Sequence, residues 1–475
     1  MTKTVSGPYL KKGTALLFAA ITLSATSAQA NVGEAYGFGS RSAALGGATG
    51  AWGADGYASY YNPAQLTLQT ERRAVISFGA AYYQPVFNPI DNVVTDNDYV
   101  SDKPGPIRGN VSVDEYRPTF GTMLGATLRL MPQWWNLTAG VTGFLPLKHL
   151  AYMDTGQTFV PEYVLYRART QRPQFAFALA VEPLTGFSAG AGVQAAFSLT
   201  TTADVFVQTD QPKPSTMRFA ATLKPKFMPY LGLMYVSNKN DRKSVVGAES
   251  EQWAWSTGFV TRLAGSSDND LSLNTGARVL NPLPALPFRF QALSAIYYDP
   301  LTFELSGSLQ YLKQARLFLQ VDYQVWSAYK APALTIIPSS GVNITAGGPP
   351  AISPRDIIVP RVGHEYQLGR ATLRAGYSYR AGIFRGAPNG AGNYLDPDRD
   401  IFTAGLGWRF DHILDFNVPW TADFNGAYHS LREQNIVKTE GNEVGVGSGD
   451  RKIGAPGYEA DGHVWGVGVS MTVAL

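Results

Sequence analysis

The chain has 475 residues, a formal net charge of +3 and no cysteine. So small a positive excess, with no Lys/Arg-rich run to concentrate it, excludes a nucleic-acid-binding protein, and the missing thiols exclude disulfides, thiol catalysis and a lipid-anchoring cysteine. Only 16% of residues are charged while 25 Tyr, 24 Phe and 9 Trp are present, and after the N-terminus no run reaches the about 18 apolar residues of a spanning helix, so apolar surface is spread thinly along the chain.

At the N-terminus, Lys3, Lys11 and Lys12 precede an apolar core from Thr14 to Leu23, and Ala28-Gln29-Ala30 supplies a small-x-small cleavage pattern. Residues 1–30 read as a signal peptide, because the core is shorter than the ~20 residues of a spanning helix. Residues 31–73 follow, rich in Gly and Ala with little alternation. Such a stretch cannot lie in lipid, but its small side chains suit compact folding inside a pore. A solvated leader would also be Gly-rich, yet Trp52, Tyr57, Tyr60 and Tyr61 are too aromatic for one.

From residue 74 the pattern has a period of two. Candidate strands fall near 74–83, 119–130, 136–147, 174–182, 187–199, 228–237, 252–263, 301–312, 315–326, 356–368, 371–380, 401–410, 419–430 and 463–475. The number is even, as a bacterial barrel with both ends on the periplasmic side requires. Short links such as 313–314 and 369–370 read as periplasmic, and long ones such as 84–118, 200–227 and 264–300 as extracellular. Two further extended runs, Leu271–Leu280 and Phe288–Tyr298, are assigned to a folded loop, because counting them breaks this alternation.

Face assignments agree between strands. In 315–326, Leu317, Leu319, Val321, Tyr323 and Val325 point outward and Arg316, Phe318, Gln320, Asp322, Gln324 and Trp326 inward. In the final strand Trp465, Val467, Val469, Met471, Val473 and Leu475 alternate with Gly466, Gly468, Ser470, Thr472 and Ala474. Charge inside and grease outside, over about the 9–11 residues that cross a bilayer obliquely, describe a transmembrane strand. Trp134, Trp135, Trp408, Phe410 and Trp420 suggest an aromatic girdle at the periplasmic ends, whereas Trp253, Trp255, Tyr329 and Trp465 do not all fit one rim.

Catalytic motifs are weak. Gly186-Phe187-Ser188-Ala189-Gly190 matches a nucleophile elbow, but that chemistry needs a strand-to-helix turn and here the strand continues. The five histidines, His149, His364, His412, His429 and His463, show no metal-ligand spacing. Asp96-Asn97-Asp98 and Asp396 to Asp400 suit either a divalent cation bridging lipopolysaccharide phosphates or ordinary solvated turns.

The small-residue stretch followed by Asp55 and by Tyr61-Asn62-Pro63-Ala64 resembles the N-terminal hatch of the FadL/TodX outer-membrane transport proteins. Val321-Asp322-Tyr323-Gln324-Val325-Trp326-Ser327 is similar to that family's strand ending in Trp-Ser, and Leu373 to Arg380, Pro397 to Asp400 and Gly405 to Trp408 are similar to its late hairpin. The likeness covers the mature chain in order. Gln65 stands where the family usually has Gly, and Leu475 where outer-membrane proteins favour a terminal aromatic.

The resemblance implies an all-β fold, a transmembrane antiparallel β-barrel of about fourteen strands (74–475) with hatch 31–73 in its lumen, in the bacterial outer membrane. It implies passive uptake of long-chain fatty acids or other hydrophobic molecules by a monomer among outer-membrane lipid and lipopolysaccharide, with no cofactor or metal and no enzymatic activity. The hatch signature is Asn62, Pro63 and Ala64. A capture groove is expected on the loops, from Leu283, Leu286, Phe288 and Phe290 against Phe206 and Phe219. A kinked third strand, weakened by Gly140, Gly143 and Pro146, is expected to release cargo sideways. For a cargo carboxylate the inward Arg361 and Arg374, taken as neighbours across the Gly369-Arg370 hairpin, are preferred over Arg316 and Arg262. Pairing of these arginines with the inward acids Glu365, Asp322 and Glu304 is the competing reading. A general porin and an outer-membrane hydrolase using Ser188 are the alternative functions.

Overall fold

The computed structural model describes residues 32–53, 55–69, 73–95, 107–111, 116–133, 135–148, 162–166, 172–208, 216–237, 253–278, 286–312, 314–329, 335–336, 353–385, 394–411, 418–437 and 457–475. Residues 1–31, where the signal peptide is expected, lie outside these residues, as do Trp134, His149, His412, Asp96 to Asp98, Leu283 and the side chains of Phe206, Phe219, Leu286, Phe288 and Phe290.

Fourteen strands form the wall: β1 Ala74–Phe87, β2 Thr119–Met131, β3 Leu137–Pro146, β4 Gln174–Leu184, β5 Phe187–Gln208, β6 Thr216–Val236, β7 Ala254–Arg262, β8 Leu301–Leu312, β9 Ala315–Val325, β10 Ile357–Leu368, β11 Ala371–Arg380, β12 Arg399–Phe410, β13 Trp420–Val437 and β14 Gly457–Ala474. Each pairs antiparallel with the next, and β1 closes the ring on β14 from Val75↔Ala474 to Phe87↔Gly462. Closure is what the bilayer demands, since an open edge in hydrocarbon leaves backbone groups unpaired at several kcal/mol each. At the seam Arg73 N donates to Leu475 O at 2.9 Å and Leu475 N to Ala74 O at 2.8 Å.

Beyond the bilayer several strands run longer than their alternation announces. β5 and β6 stay paired from Phe187↔Tyr235 to Phe206↔Thr216. The two extra runs are a hairpin, Gly265–Arg278 with Leu286–Asp299. It stands outside the wall, because β7 pairs directly with β8 from Ala254↔Gln310 to Arg262↔Thr302. Its first strand lies parallel to the outer part of β5, placing Gly276 beside Phe206.

Outward side chains such as Leu319, Val321, Val467 and Val469 are exposed, while Phe318, Gln320, Asp322 and Gln324 are buried. The aromatics sort into two rims. Trp135, Trp253, Trp255 and Trp408 are exposed at the short-link end. Trp465 lies in the other half against Tyr82, with ring centroids 5.5 Å apart. Tyr329 belongs to neither rim, being buried against Trp326 and Tyr298.

Residues 32–69 fold inside this wall as α1 Val32–Ala35, α2 Ser40–Ala44, α3 Ala58–Tyr61 and a 3-10 turn over Pro63–Leu68. The helices are too short to stand alone; contacts with the wall hold them. Asn62 caps the 3-10 turn, its Oδ1 accepting from Ala64 N at 3.0 Å with Pro63 in the first position. Close approach is made by missing side chains: a Cβ on Gly376 of β11 would sit 2.3 Å from Gly46 N, and Gly46 itself has φ +65°.

Candidate ligand-binding site

The hatch is tied to strands all round the lumen. Near the short-link end Thr67 Oγ1 meets Ser188 Oγ at 2.6 Å and Asn136 Nδ2 donates to Thr67 O at 2.9 Å. Midway, Ser59 Oγ meets Thr142 Oγ1 at 2.6 Å, Asn62 Nδ2 donates to Leu233 O at 3.2 Å, and Gly50 N donates to Gln320 Oε1 at 3.1 Å. Higher, Tyr83 donates to Tyr36 O at 3.0 Å while their rings stack 3.9 Å apart. Gln65, where the resemblance implies Gly, donates from Nε2 to Thr49 O at 2.5 Å, a bond within the hatch.

Above the hatch lie two adjoining cavities. One lies between α1 and inward residues including Arg262, Glu304, Asp322 and Arg361 and is partly open to solvent. The other, much smaller, lies where α1 faces β10 to β13. Both touch Glu34, Arg361, Ile401 and His429. Strand alternation puts Val359 and Arg361, then Ser378 and Arg380, then Arg399 and Ile401, then His429 on the inner faces of four consecutive strands.

Apolar rings close the outer side. Trp326 stacks on Tyr298 at 4.7 Å, Tyr329 meets both, and Phe384 lies 6.1 Å from Tyr329. A second group stacks Phe87 on Tyr163 at 3.8 Å, with Tyr116 and Tyr166 at its edges. Burial pushes the Tyr166 phenol up, so it stays protonated.

The arginines nominated by face are all inward and all engaged. Arg374 donates from Nε to Glu365 at 2.7 Å and from Nη1 to Asp423 at 2.6 Å; Glu365 also accepts from Arg41 of the hatch at 3.0 Å. Arg361 donates to Asp322 at 2.9 Å and to Gly46 O at 3.0 Å, and it does line both cavities. Arg262 donates to Tyr60 O and Tyr61 O, both at 2.6 Å, with Glu304 4.0 Å away. Arg316 stacks 4.0 Å over Trp52. Arg361 and Arg374 are not cross-strand neighbours: the hairpin register sets Glu365 opposite Arg374 and Ser378 opposite Arg361. Face parity alone carries no register, which is why the sequence pairs them wrongly.

Arg380 and Arg399 border the smaller cavity but were not nominated from the sequence, although parity already turned Arg380 inward. Arg399 was hidden because β12 begins two residues before its apolar alternation. Asp396 is buried against Arg380 at 3.0 Å, whereas Asp398 and Asp400 are engaged by Tyr379, Tyr377 and Arg432 on the outer surface. Gly140 faces the hatch, where a Cβ would meet Leu66 and Ser59; a Cβ on Gly143 would meet the Phe175 ring, and Pro146 pairs with Gly121. Ser188 lies within β5, not on a strand-to-helix turn.

No protein-family model matches the chain. Alkane uptake protein A of Marinobacter nauticus is 24% identical over 444 residues, covering 91% of each chain. Among solved structures, a Pseudomonas aeruginosa FadL homologue superposes with a TM-score of 0.54 at 13% identity, over 94% of this chain and 99% of its own. The chain has the FadL/TodX fold. The Pseudomonas putida toluene transporter TodX gives a TM-score of 0.51 at 14% identity, over 93% of this chain and 99% of TodX. The FadL/TodX likeness read in the sequence thus holds at the level of fold, as a fourteen-stranded barrel with its N-terminal helices inside.

Proposed function

We propose that this protein is a passive outer-membrane channel for hydrophobic molecules. One observation carries the reading: the lumen is filled by a segment bonded to strands on every side, while above it cavities lie beneath a roof of stacked aromatic rings. Water-soluble cargo needs an open aqueous path, and the hatch occupies it. An oily molecule needs apolar walls and shelter from water. The similar proteins named for alkane uptake and toluene transport support such a cargo.

Capture falls to the long loops around Leu283, Leu286, Phe288 and Phe290, with Phe206 and Phe219. Release proceeds sideways at β3, which Gly140 and Pro146 weaken and whose pairing with β4 spans only Thr138↔Ala180 to Phe144↔Gln174. The protein works as a monomer in lipid and lipopolysaccharide. Arg361, at the border of both cavities, is the nominated residue best placed near cargo; Arg374 is committed to Glu365 and Asp423.

The test combines planar-bilayer conductance with extraction of the molecule that co-purifies with the full chain. A closed pore and an apolar extract are expected. A steady ion conductance of porin size would overturn the proposal. Ester cleavage that disappears in Ser188→Ala would point to a hydrolase instead.

A further inference from the structure

At the long-loop ends of β9 to β13 the outer face of the wall changes from hydrocarbon to phenols and then to ions. Leu373, Phe402, Leu406 and Phe424 are exposed along the lipid-facing band. Beyond them three tyrosines each donate a hydroxyl to a carboxylate farther from the membrane centre: Tyr323 to Asp356 at 2.9 Å, Tyr377 to Asp400 at 2.7 Å and Tyr379 to Asp398 at 2.5 Å. Rings with a polar tip settle where hydrocarbon meets headgroups. The ions above them therefore stand at the level of the outer leaflet's headgroups.

Two guanidinium groups flank the Tyr379–Asp398 pair. Arg432 donates from Nε and Nη2 to Asp400 at 2.8 and 3.0 Å, and its Cζ lies 4.9 Å from the centre of the Tyr379 ring. Arg355 donates from Nε to Gly382 O at 2.8 Å, with Nη2 3.7 Å from Asp398. The cations are the outermost members: the Arg432 side chain is 55% exposed against 18% for Asp400, and that of Arg355 40% against 35% for Asp398. The carboxylates turn toward the wall, where Asp398 also accepts from Gly382 N at 2.8 Å. These bonds leave Nη1 of both arginines open to a further acceptor.

We propose that Arg355 and Arg432 bind the phosphates of lipid A, the multiply acylated, phosphorylated sugar that anchors lipopolysaccharide in the outer leaflet, with its acyl chains lying along Phe402, Leu406 and Phe424. A guanidinium matches phosphate oxygens with charge-assisted bonds, and the Asp400 fork and the Tyr379 ring hold Arg432 in place for them. The contact is direct: with the oxygens of Asp398 and Asp400 already taken by hydroxyl, amide and guanidinium donors, the acids do not have the free lone pairs that a bridging cation needs. The apolar band directly beneath favours a phosphate that carries chains over free phosphate. This surface lies outside the lumen, so the proposal goes beyond the uptake reading and does not depend on it.

Native mass spectrometry of the full-length protein in detergent, titrated with diphosphoryl lipid A, dephosphorylated lipid A and inorganic phosphate, tests it. Wild type is expected to hold the diphosphoryl form on the order of tenfold more tightly than the dephosphorylated one, the scale of two basic residues at an anionic lipid surface. The double variant Arg355→Gln with Arg432→Gln should lose most of that preference while keeping its compact band on unheated gels. Equal binding of the two lipids by wild type would overturn the proposal even if the variant does not fold. So would a preference that the folded double variant keeps. Inorganic phosphate competing as well as the acylated form would reduce the site to one for small anions, and loss of the preference in chelator would show a cation bridge in place of direct contact; either result overturns the assignment.

Discussion

Arg374 Nη1 and Asp423 Oδ1 meet at 2.6 Å across the intervening strand β12, with side chains 4% and 5% exposed. Gly407 makes the span possible, since a Cβ there would fall 2.6 Å from Asp423 Oδ1 and 2.7 Å from Arg374 Nη1. With Glu365 and the hatch residue Arg41, the pair forms a chain of four alternating charges from wall to hatch.

Removing one member leaves its partners charged and buried. Arg374→Ala should therefore destabilise the barrel by about 3–5 kcal/mol, the range for breaking a buried ion pair. Urea unfolding in micelles, followed by loss of the compact band on unheated gels, measures this. A change within about 0.5 kcal/mol, typical of a surface site, would show that the network is solvated.

Asn62 does three jobs from a fully buried position. Its Nδ2 donates to Gly50 O at 2.8 Å within the hatch and to Leu233 O at 3.2 Å in β6, while Oδ1 caps Ala64 N. Asn62→Ala should cost about 1–2 kcal/mol for the cap and leave the buried Gly50 carbonyl without this donor. Because the lost contacts join hatch to wall, the expected signature is leak: brief conductance events in planar bilayers where wild type is silent. A silent variant would place the seal elsewhere.

Asp356, just outside β10, accepts from Ser327 N at 2.8 Å and from the Tyr323 hydroxyl at 2.9 Å. Burial opposes its ionisation, but these hydrogen bonds outweigh burial and hold its carboxyl below the usual range. A carboxylate depressed by folding contributes fully above its unfolded value of about 4 and loses that contribution as pH falls through the folded value. Amide exchange at Ser327 should speed up as pH is lowered from about 7 to about 3, after correction for intrinsic rates. Asp356→Asn should show the faster exchange already at neutral pH.

The wall was legible because lipid outside and a packed lumen inside impose one rule on every residue of a spanning strand, as Leu319 and Gln320 obey. That rule stops at the bilayer surface. Hence the outer halves of β5 and β6, where the sequence loses its apolar alternation, were hidden, and with them the loop hairpin's parallel docking on β5. The hatch was legible from small residues interleaved with tyrosines that have no place in a tether. Partner choice was not. Whether Arg374 takes Glu365, or Arg380 and Arg399 share Asp396, depends on register and on where the hatch lies, and neither is written in local alternation.

Thr67 Oγ1 and Ser188 Oγ, 2.6 Å apart, join the last turn of the hatch to β5, two strands from β3. The chain has no cysteine of its own, so Thr67→Cys with Ser188→Cys gives a single possible bridge, and hydroxyls already in contact bring the Cβ atoms near disulfide reach. Cargo that passes straight down the lumen must push the hatch off β5, and oxidation would then abolish uptake until reductant is added. Cargo that leaves through the wall beside β3 passes above a hatch that stays in place, and uptake should be the same oxidised or reduced. Labelled dodecanoate or n-dodecane uptake by cells carrying the double variant, with and without reductant, reads the difference. Uptake lost on oxidation and recovered on reduction would exclude sideways release.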